Sequence, residues 1–529
     1  MRFAHSASFD ETEVSRDRFW LWLIVIVFVA VEMRFAIALM SPNVFRPDEI
    51  FQNLEPAYRM ATGDGLVTWE WRAGLRTQAF PAVLSLLIAP MIKLGFGPAG
   101  YIGLITAAMA LLSSAVPAIG YLVGWRGGGW IAAVLTAFLC AIWPELILLG
   151  PKTLAEVQAG HLMLMGAYLA AYCGPLDRER TTIGPRPASA TRFFVAGALL
   201  GAAFCVRFQL APAIALVAIG TARRDWRNRW PAMALGGLIP TLAVGGYEWW
   251  TTGVFFRSIW TNLDFNVGQG GAAALFGTRP FWWYGSALVS SMGALSAILA
   301  ILFAVGFRRA PLFASAALMI VISHSLVPHK EFSFIYAALP FAAIVAGLGL
   351  DRIARVAFAK LAPQWSAPGA LAFTLAVMAA FALTGIGSLS FQEAASRSGA
   401  ILKFQALLRD DPNVCGLALR GPEATWIMTG GEAWFGRHVP IYAFISHKAA
   451  GEVAGAVNAA IGGRDVADGM DGFTLGQCEE TQEGALCLAR TARVTCVPNA
   501  AYDVQKLDNL GRRETNYGAD PAPTAEIER

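Results

Sequence analysis

Residues 20–39 read WLWLIVIVFVAVEMRFAIAL, a run broken only by the charges of Glu32 and Arg34. A helix needs about 20 apolar residues to cross a hydrocarbon core about 30 Å thick, and this run supplies them. Other long apolar runs lie at 131–142, 287–305 and 371–383. A soluble chain usually carries about 25% charged residues. This one carries 15%, with 56% hydrophobic residues and a mean hydropathy of +0.50. A soluble protein of 529 residues would need far more polar surface to cover its core. The chain is therefore read as a polytopic membrane protein with the lipid bilayer as its first partner. The net charge of +4 is too small to mark a nucleic-acid partner. Residues 1–18 mix acids and bases, and no small-x-small exit follows the first run, so it is read as an uncleaved span after a cytoplasmic N-terminus.

Windowed hydropathy predicts about 11 transmembrane segments, near 19–40, 80–94, 99–123, 129–149, 154–173, 193–219, 231–247, 281–306, 311–327, 333–350 and 370–390. Arginine-rich connectors at 178–192, 223–229, 308–309 and 352–360 should face the cytoplasm. Counting from 229 onward, this puts 248–280, 328–332 and everything after 390 on the outer side. The alternation fails around 193–219, because the clusters on both sides of that segment want the inside. Two short helices turning near Arg207, just before Pro212, resolve the conflict, since irregular backbone is tolerated where it lines a cavity or is buried in protein. A single long span that violates the charge rule is the alternative.

The transmembrane module is thus 19–390, with outer loops 41–79 and 248–280. Residues 391–510 are read as a small soluble α/β domain, with strands at 414–419, 426–429, 439–444 and 485–489 punctuated by glycine. The tail 511–529 is polar, contains proline and is expected to be disordered. Seven cysteines divide by region. Cys140, Cys173 and Cys205 sit in apolar segments as small core residues. Cys415, Cys478, Cys487 and Cys496 sit together in the soluble part and suggest two disulfides in an oxidising compartment, with Cys478 joined to Cys487 or Cys496 on short loop length. Four unrelated thiols are the other reading.

The chemistry concentrates in loop 41–79. It opens with Phe45, Arg46, Pro47, Asp48, Glu49, Ile50, Phe51 and Gln52, continues from Gly63 through Thr68, Trp69, Glu70 and Trp71, and reaches Arg76 and Pro81. Two adjacent acids at a membrane face are costly unless paired or used. A carboxylate there can act as general base toward a sugar hydroxyl. A helix cap after Pro47 is the structural alternative. Further on, Glu248, Trp249 and Trp250 precede 262–267 (Asn, Leu, Asp, Phe, Asn266, Val), then 276–284 (Phe, Gly, Thr, Arg, Pro, Phe, Trp, Trp, Tyr), then His329, Lys330, Glu331, Phe332, Ser333, Phe334 and Ile335. Arg207 is a further intramembrane charge, either functional or paired with Glu145 or Glu156. The tryptophans could line a sugar site or anchor the chain at the membrane interface, as Trp and Tyr routinely do.

These stretches, in this order over about 45–390, resemble glycosyltransferase family 22, the dolichyl-phosphate-mannose-dependent α-mannosyltransferases of GPI-anchor and N-glycan assembly. That family carries a Pro-Asp-Glu-x-Phe-Gln element, a Gly-x-Gly-x-x-Thr-Trp-Glu-Trp element and a following Arg in its first luminal loop, with a His-Lys-Glu-Phe-Arg-Phe-Ile signature later. Here Arg46 stands where His is usual, Glu248 where Asp is usual, and Ser333 replaces Arg. A short polar element of the family is loosely matched by Thr153 and Glu156. The resemblance implies a GT-C-type all-α bundle with a soluble C-terminal domain. It also implies inverting transfer of a mannosyl or other hexosyl residue from a polyprenyl-phosphate sugar to a glycan or glycolipid acceptor.

In the mechanism this implies, Asp48 or Glu49 is the catalytic base, with Asp48 preferred. Arg46, Gln52, Trp69, Glu70, Arg76, Arg207, Asn266, His329, Lys330 and Glu331 are the expected substrate-binding residues. The leaving lipid phosphate is already an anion, so cations at His329, Lys330 and Arg207 can stabilise it without a protonated acid. No cofactor and no obligatory metal is expected, because the chain has no Cys/His metal spacing, no Asp-x-Asp and no glycine-rich phosphate loop after a strand. Two other classes remain open. A transporter should show two halves of similar hydropathy. A membrane-anchored assembly or binding protein would leave the polar loops without a task. Compactness and the disulfides point to a bacterial inner membrane with a periplasmic site; an endoplasmic reticulum membrane gives the same topology.

Overall fold

The computed structural model describes residues 16–171, 189–222, 226–362, 364–421, 426–444, 447–481 and 484–506. Residues 1–15, Cys173, most of the 178–192 connector, 223–225 and the 511–529 tail lie outside the described residues. The chain forms two units. One comprises residues 1–37, 106–257 and 265–391; the other comprises 38–105, 258–264 and 392–529.

The first unit is helical. Its elements include Ala115–Ile142, Ala155–Ala171, Ala190–Val206, Ala211–Ala222, Trp226–Thr252, Ala294–Gly306, Pro311–Ser325, Ala338–Leu361 and Ala367–Ile386. In lipid the hydrophobic effect does not drive apolar helices together, so close packing must do it, and small residues permit close approach. Two glycine pairs show this. A Cβ placed on Gly197 would lie 1.9 Å from the Met233 carbonyl oxygen, and one on Gly236 would lie 1.9 Å from that of Phe194. Gly306 and Gly349 lock Ala294–Gly306 to Ala338–Leu361 in the same way, at 1.9 Å from the carbonyls of Val345 and Leu302. The arginine connectors at 308–309 and 352–360 converge on Asp351, which is fully buried. Its two oxygens accept from Arg309 at 2.6 Å and Arg355 at 2.9 Å, and Arg355 also donates to the Gly128 carbonyl at 2.6 Å. That carbonyl is available because the helix Ala115–Ile142 is kinked at Gly128 and Gly129, the latter at φ 78°.

The count of about 11 spans is not reproduced as so many membrane-length helices. Among the described residues, 17–40, 98–142 and 367–386 are long and apolar enough to cross unaided. Several expected spans are instead helices of 10–17 residues, such as Ala79–Lys93 and Pro311–Ser325. The segment 193–219 is two helices, Ala190–Val206 and Ala211–Ala222, parted at Arg207, whose φ −145° and ψ 87° are not helical.

The second unit builds a five-stranded sheet from β1 (Leu417–Arg420), β2 (Ile441–Phe444), β3 (Ala459–Gly462), β4 (Thr474–Thr481) and β5 (Gly484–Arg490), in the order β2-β1-β3-β5-β4. β1 pairs in parallel with β2 and β3, and β5 closes antiparallel on β3 and β4. The three parallel strands are buried throughout, as small apolar stretches covered on both faces should be. Tyr442 and Phe444 of β2 cluster with Val453, Val457 and Val466 in one buried core. Disulfides join Cys415 to Cys496 and Cys478 to Cys487. The second faces across the β4–β5 register. Residues 426–428 form a 3₁₀ turn rather than a strand: Trp426 packs its ring 5.0 Å from that of Phe51. β3 and β4 are additional to the expected strands. β3 is the short stretch Ala-Ala-Ile-Gly, and β4 is mostly polar on an edge, so neither shows an alternating apolar pattern.

Candidate functional site

The loop bearing the paired acids belongs to the second unit. Its entry is fastened by backbone acceptors near 395: Ser41 and Asn43 donate to the carbonyls of Ala395 and Ala394 at 2.7 Å, and Val44 N–H to that of Arg397 at 3.2 Å. Pro47 then starts a helical turn that runs on as a π-helix, Glu49–Leu54. The wide turn is closed by the Glu55 N–H on the Ile50 carbonyl, and the Asn53 side-chain Nδ2 donates to the Asp48 carbonyl at 3.1 Å. π-turns are rare and occur frequently at functional sites.

The two acids have different surroundings. Glu49 is 3% exposed and its Oε1 accepts the Phe45 N–H, closing the turn. Asp48 is half-buried at the helix start, in helical geometry, and makes no side-chain cap bond. Gln52 is buried, and Arg46 and Trp69 are half-buried; the Arg46 guanidinium lies 5.8 Å from the Phe45 ring centre. After the left-handed Gly63, an irregular stretch that ends in the extended Thr68 leads to a short helix, Trp69–Arg72. The Trp71 indole donates to the Phe51 carbonyl at 3.1 Å. Arg76 holds Glu70 with two bonds, Nη2 to Oε1 at 2.5 Å and Nε to Oε2 at 3.1 Å, so the two expected ligands of this loop are each other's partners.

A residue that sequence reasoning missed sits immediately after the π-helix. Glu55 is fully buried. Its Oε1 accepts the N–H of Leu66 at 2.8 Å and of Glu432 at 2.9 Å, and its Oε2 that of Ala433 at 2.9 Å. Burial pushes its pKa up to about 7 against the pull of those amides. Burial, helped by Asp64, pushes Glu432 up to about 8, and Glu432 Oε1 contacts His438 Nδ1 at 2.7 Å. An acid in Leu54-Glu55-Pro56 gives no sequence signal of partners at 432 and 433.

The remaining candidates belong to the first unit. Arg207, at the helix break, is 8% exposed and pairs with Glu156 at 2.8 Å, the partnered state of the two that sequence reading left open. Its guanidinium lies 5.0 Å from the Phe334 ring centre. In the turn 328–331, His329 is flanked by the rings of Phe276 and Phe334 at 5.4 and 5.8 Å. Its Nε2 contacts Glu331 Oε1 at 3.3 Å, while Ser333, where the family has Arg, donates to Oε2 of the same half-buried Glu331 at 3.4 Å. Lys330 is 2% exposed. Its Nζ donates to the carbonyls of Arg279, at 3.0 Å, and Val327, which leaves one N–H over. No carboxylate pairs with it among the described residues, and burial lowers its pKa. Asn266 is half-buried in the π-turn Asp264–Gly268. Among the described residues no group of three or more His, Cys, Asp or Glu stands close enough to hold a metal ion.

The profile of the Alg9-like mannosyltransferase family matches residues 22–397. The GPI mannosyltransferase 3 of Aspergillus fumigatus is 26% identical over 362 residues, covering 59% of this chain and 46% of that protein. The GPI mannosyltransferase 3 of Yarrowia lipolytica is 27% identical over 317 residues, covering 58% of each. The chain thus spans about half the length of these curated relatives. Among solved structures, ArnT from Cupriavidus metallidurans bound to undecaprenyl phosphate aligns with a TM-score of 0.58 over 90% of this chain and 99% of that one, at 13% identity. At that identity the likeness is one of fold, the GT-C type.

Proposed function

The chain belongs to the Alg9-like mannosyltransferase family, and from that premise we propose that it moves a mannosyl residue from a polyprenyl-phosphate sugar to a glycan or glycolipid acceptor, with inversion, on the outer face of its membrane. The observation that carries the reading is the setting of the Asp48–Glu49 pair: a backbone amide engages the Glu49 carboxylate in closing the turn, while Asp48 stands half-buried at the start of the helix that runs on as the π-helix. In this mechanism Asp48 takes the proton of the acceptor hydroxyl as that oxygen attacks the anomeric carbon. The bond from the anomeric carbon to the phosphate oxygen breaks in the same displacement, and the lipid phosphate departs as an anion.

The phosphate role is assigned separately, from the surroundings of the 328–331 turn. Lys330 is a buried cation without a carboxylate partner among the described residues, and one of its N–H groups is left over by the two carbonyls. A developing phosphate charge would find there a charge-assisted donor already held in direction. Arg207, already neutralised by Glu156, is better suited to holding its segment than to meeting a second anion. The undecaprenyl phosphate in the solved relative of the same fold supports a polyprenyl carrier. A bacterial inner membrane with a periplasmic site is the proposed location. No metal is needed to neutralise the leaving group in this scheme.

The test is transfer by the purified protein from radiolabelled polyprenyl-phosphate mannose to a membrane-lipid extract, with the product identified, in the presence and absence of EDTA. Transfer that EDTA does not change is expected. Activity with a nucleotide-mannose alone, or loss of activity with EDTA, contradicts the scheme.

A further inference from the structure

We propose that Glu55 is a positioning residue for transfer: its carboxylate, bound to the amides of Leu66, Glu432 and Ala433, holds the π-helix that carries Asp48 and Glu49 in one fixed setting against the C-terminal domain. The inference rests on the transferase reading above. All the groups concerned lie within the second unit.

A fully buried carboxylate with no cation partner is expensive, and it persists only where its oxygens are fully bonded. Glu55 meets that condition with three backbone donors and no basic side chain among the described residues. The donors come from two segments. One is the turn after Gly65, whose φ of 137° favours glycine and presents the Leu66 N–H. The other is the 430–433 loop of the C-terminal domain.

That loop is shaped for the purpose. Gly431 has φ 64°, and a Cβ there would lie 2.3 Å from Glu55 Oε2. Gln405, itself fully buried, fixes the same loop by donating to the Gly431 carbonyl at 2.8 Å and accepting the Gly430 N–H at 2.9 Å. Glu55 follows Leu54 without a break, and its own N–H closes the last π-turn. A displacement of the Glu55 side chain is therefore delivered to the backbone that aims Asp48. The 3₁₀ turn just before that loop grips the π-helix a second time, through Trp426 on Phe51. A shift of about 1 Å in a reacting group can cost roughly 10²-fold in rate.

Three variants test this: Glu55→Ala removes all three acceptors; Glu55→Gln keeps Oε1 for Leu66 and Glu432 but turns an NH2 group toward Ala433; Gly431→Ala crowds the carboxylate from the other side. Each is purified as a monodisperse fraction, and kcat and the KM for polyprenyl-phosphate mannose are measured per folded molecule. Backbone hydrogen exchange over residues 49–54 and over the five strands is followed in parallel. The expected result is a kcat roughly 10- to 100-fold lower for Glu55→Ala and Gly431→Ala, a smaller fall for Glu55→Gln, and a donor KM within about twofold of wild type, the signature of lost transition-state alignment rather than lost binding. Exchange should quicken in 49–54 and stay unchanged in the strands. Wild-type kcat in the folded variants, exchange that quickens evenly through the whole domain, or failure of all three to fold overturns the proposal and makes Glu55 a stability residue. A wild-type protein that transfers nothing defeats the transferase reading instead, and the exchange measurement then decides the positioning claim alone.

Discussion

Adjacent carboxylates at Asp48 and Glu49 would repel if both had to work at one spot, and the turn after Pro47 separates them. Glu49 bends back to accept the Phe45 amide, and Asp48 is the member of the pair proposed above as the base. The pair, with Trp69, Glu70 and Arg76, stood out in the sequence through the resemblance to the family's first-loop motif; the residue types alone left a helix cap after Pro47 as the alternative. The Glu70–Arg76 fork was not, since residue types do not say who pairs with whom. Glu55 was not legible either: its partners at 432 and 433 lie some 377 residues away along the chain. At His329–Lys330–Glu331 the sequence named the charges, and the structure adds that Lys330 is held by two carbonyls. Lys330→Ala is expected to lower turnover or raise the KM for the lipid donor by roughly ten- to a hundredfold, as for a charge-assisted contact worth about 1.5–3 kcal/mol. Steady-state kinetics with varied donor checks it, and wild-type constants would restrict Lys330 to closing the turn.

Elements in the membrane unit are held by close backbone approach rather than by apolar burial alone. Gly349 faces the Leu302 carbonyl with no room for a methyl group, and the obstacle is backbone, which cannot rotate away. Gly349→Ala should therefore push Ala294–Gly306 off Ala338–Leu361 and destabilise the protein by about 1–3 kcal/mol, the usual cost of overpacking. Thermal unfolding in detergent reads this, and an unchanged midpoint would contradict the packing described here. Sequence reading located most helices through their apolar runs, and the conflict between the arginine clusters flanking 193–219 offered a break near Arg207 as one of two readings, the one the structure shows. It did not anticipate how many of those runs fall short of membrane length. Hydropathy windows average over Pro, Gly and helix breaks that divide one apolar run into two elements. In the C-terminal domain the buried parallel strands β1 and β2 were found as apolar runs, whereas Trp426 and its neighbours read as a strand because β-propensity cannot distinguish a pleated surface from an aromatic packed on a turn.

For the whole molecule, family membership and fold agree on a membrane glycosyltransferase architecture, and the sequence carried this through motifs kept in order along the chain rather than through any one of them. Turnover requires the assembled protein, so the central claim is best tested where folding and activity can be separated. Asn matches Asp in size and serves as well at a helix start, so Asp48→Asn should insert and fold normally. It cannot take up a proton near neutral pH. The decisive measurement is mannosyl transfer from polyprenyl-phosphate mannose by purified wild type, Asp48→Asn and Glu49→Gln side by side, each shown to be folded. A fall of roughly 10²–10⁴-fold in Asp48→Asn, with a much smaller effect in Glu49→Gln, is the predicted result; full activity in Asp48→Asn would show that the carboxylate of this loop is not the base.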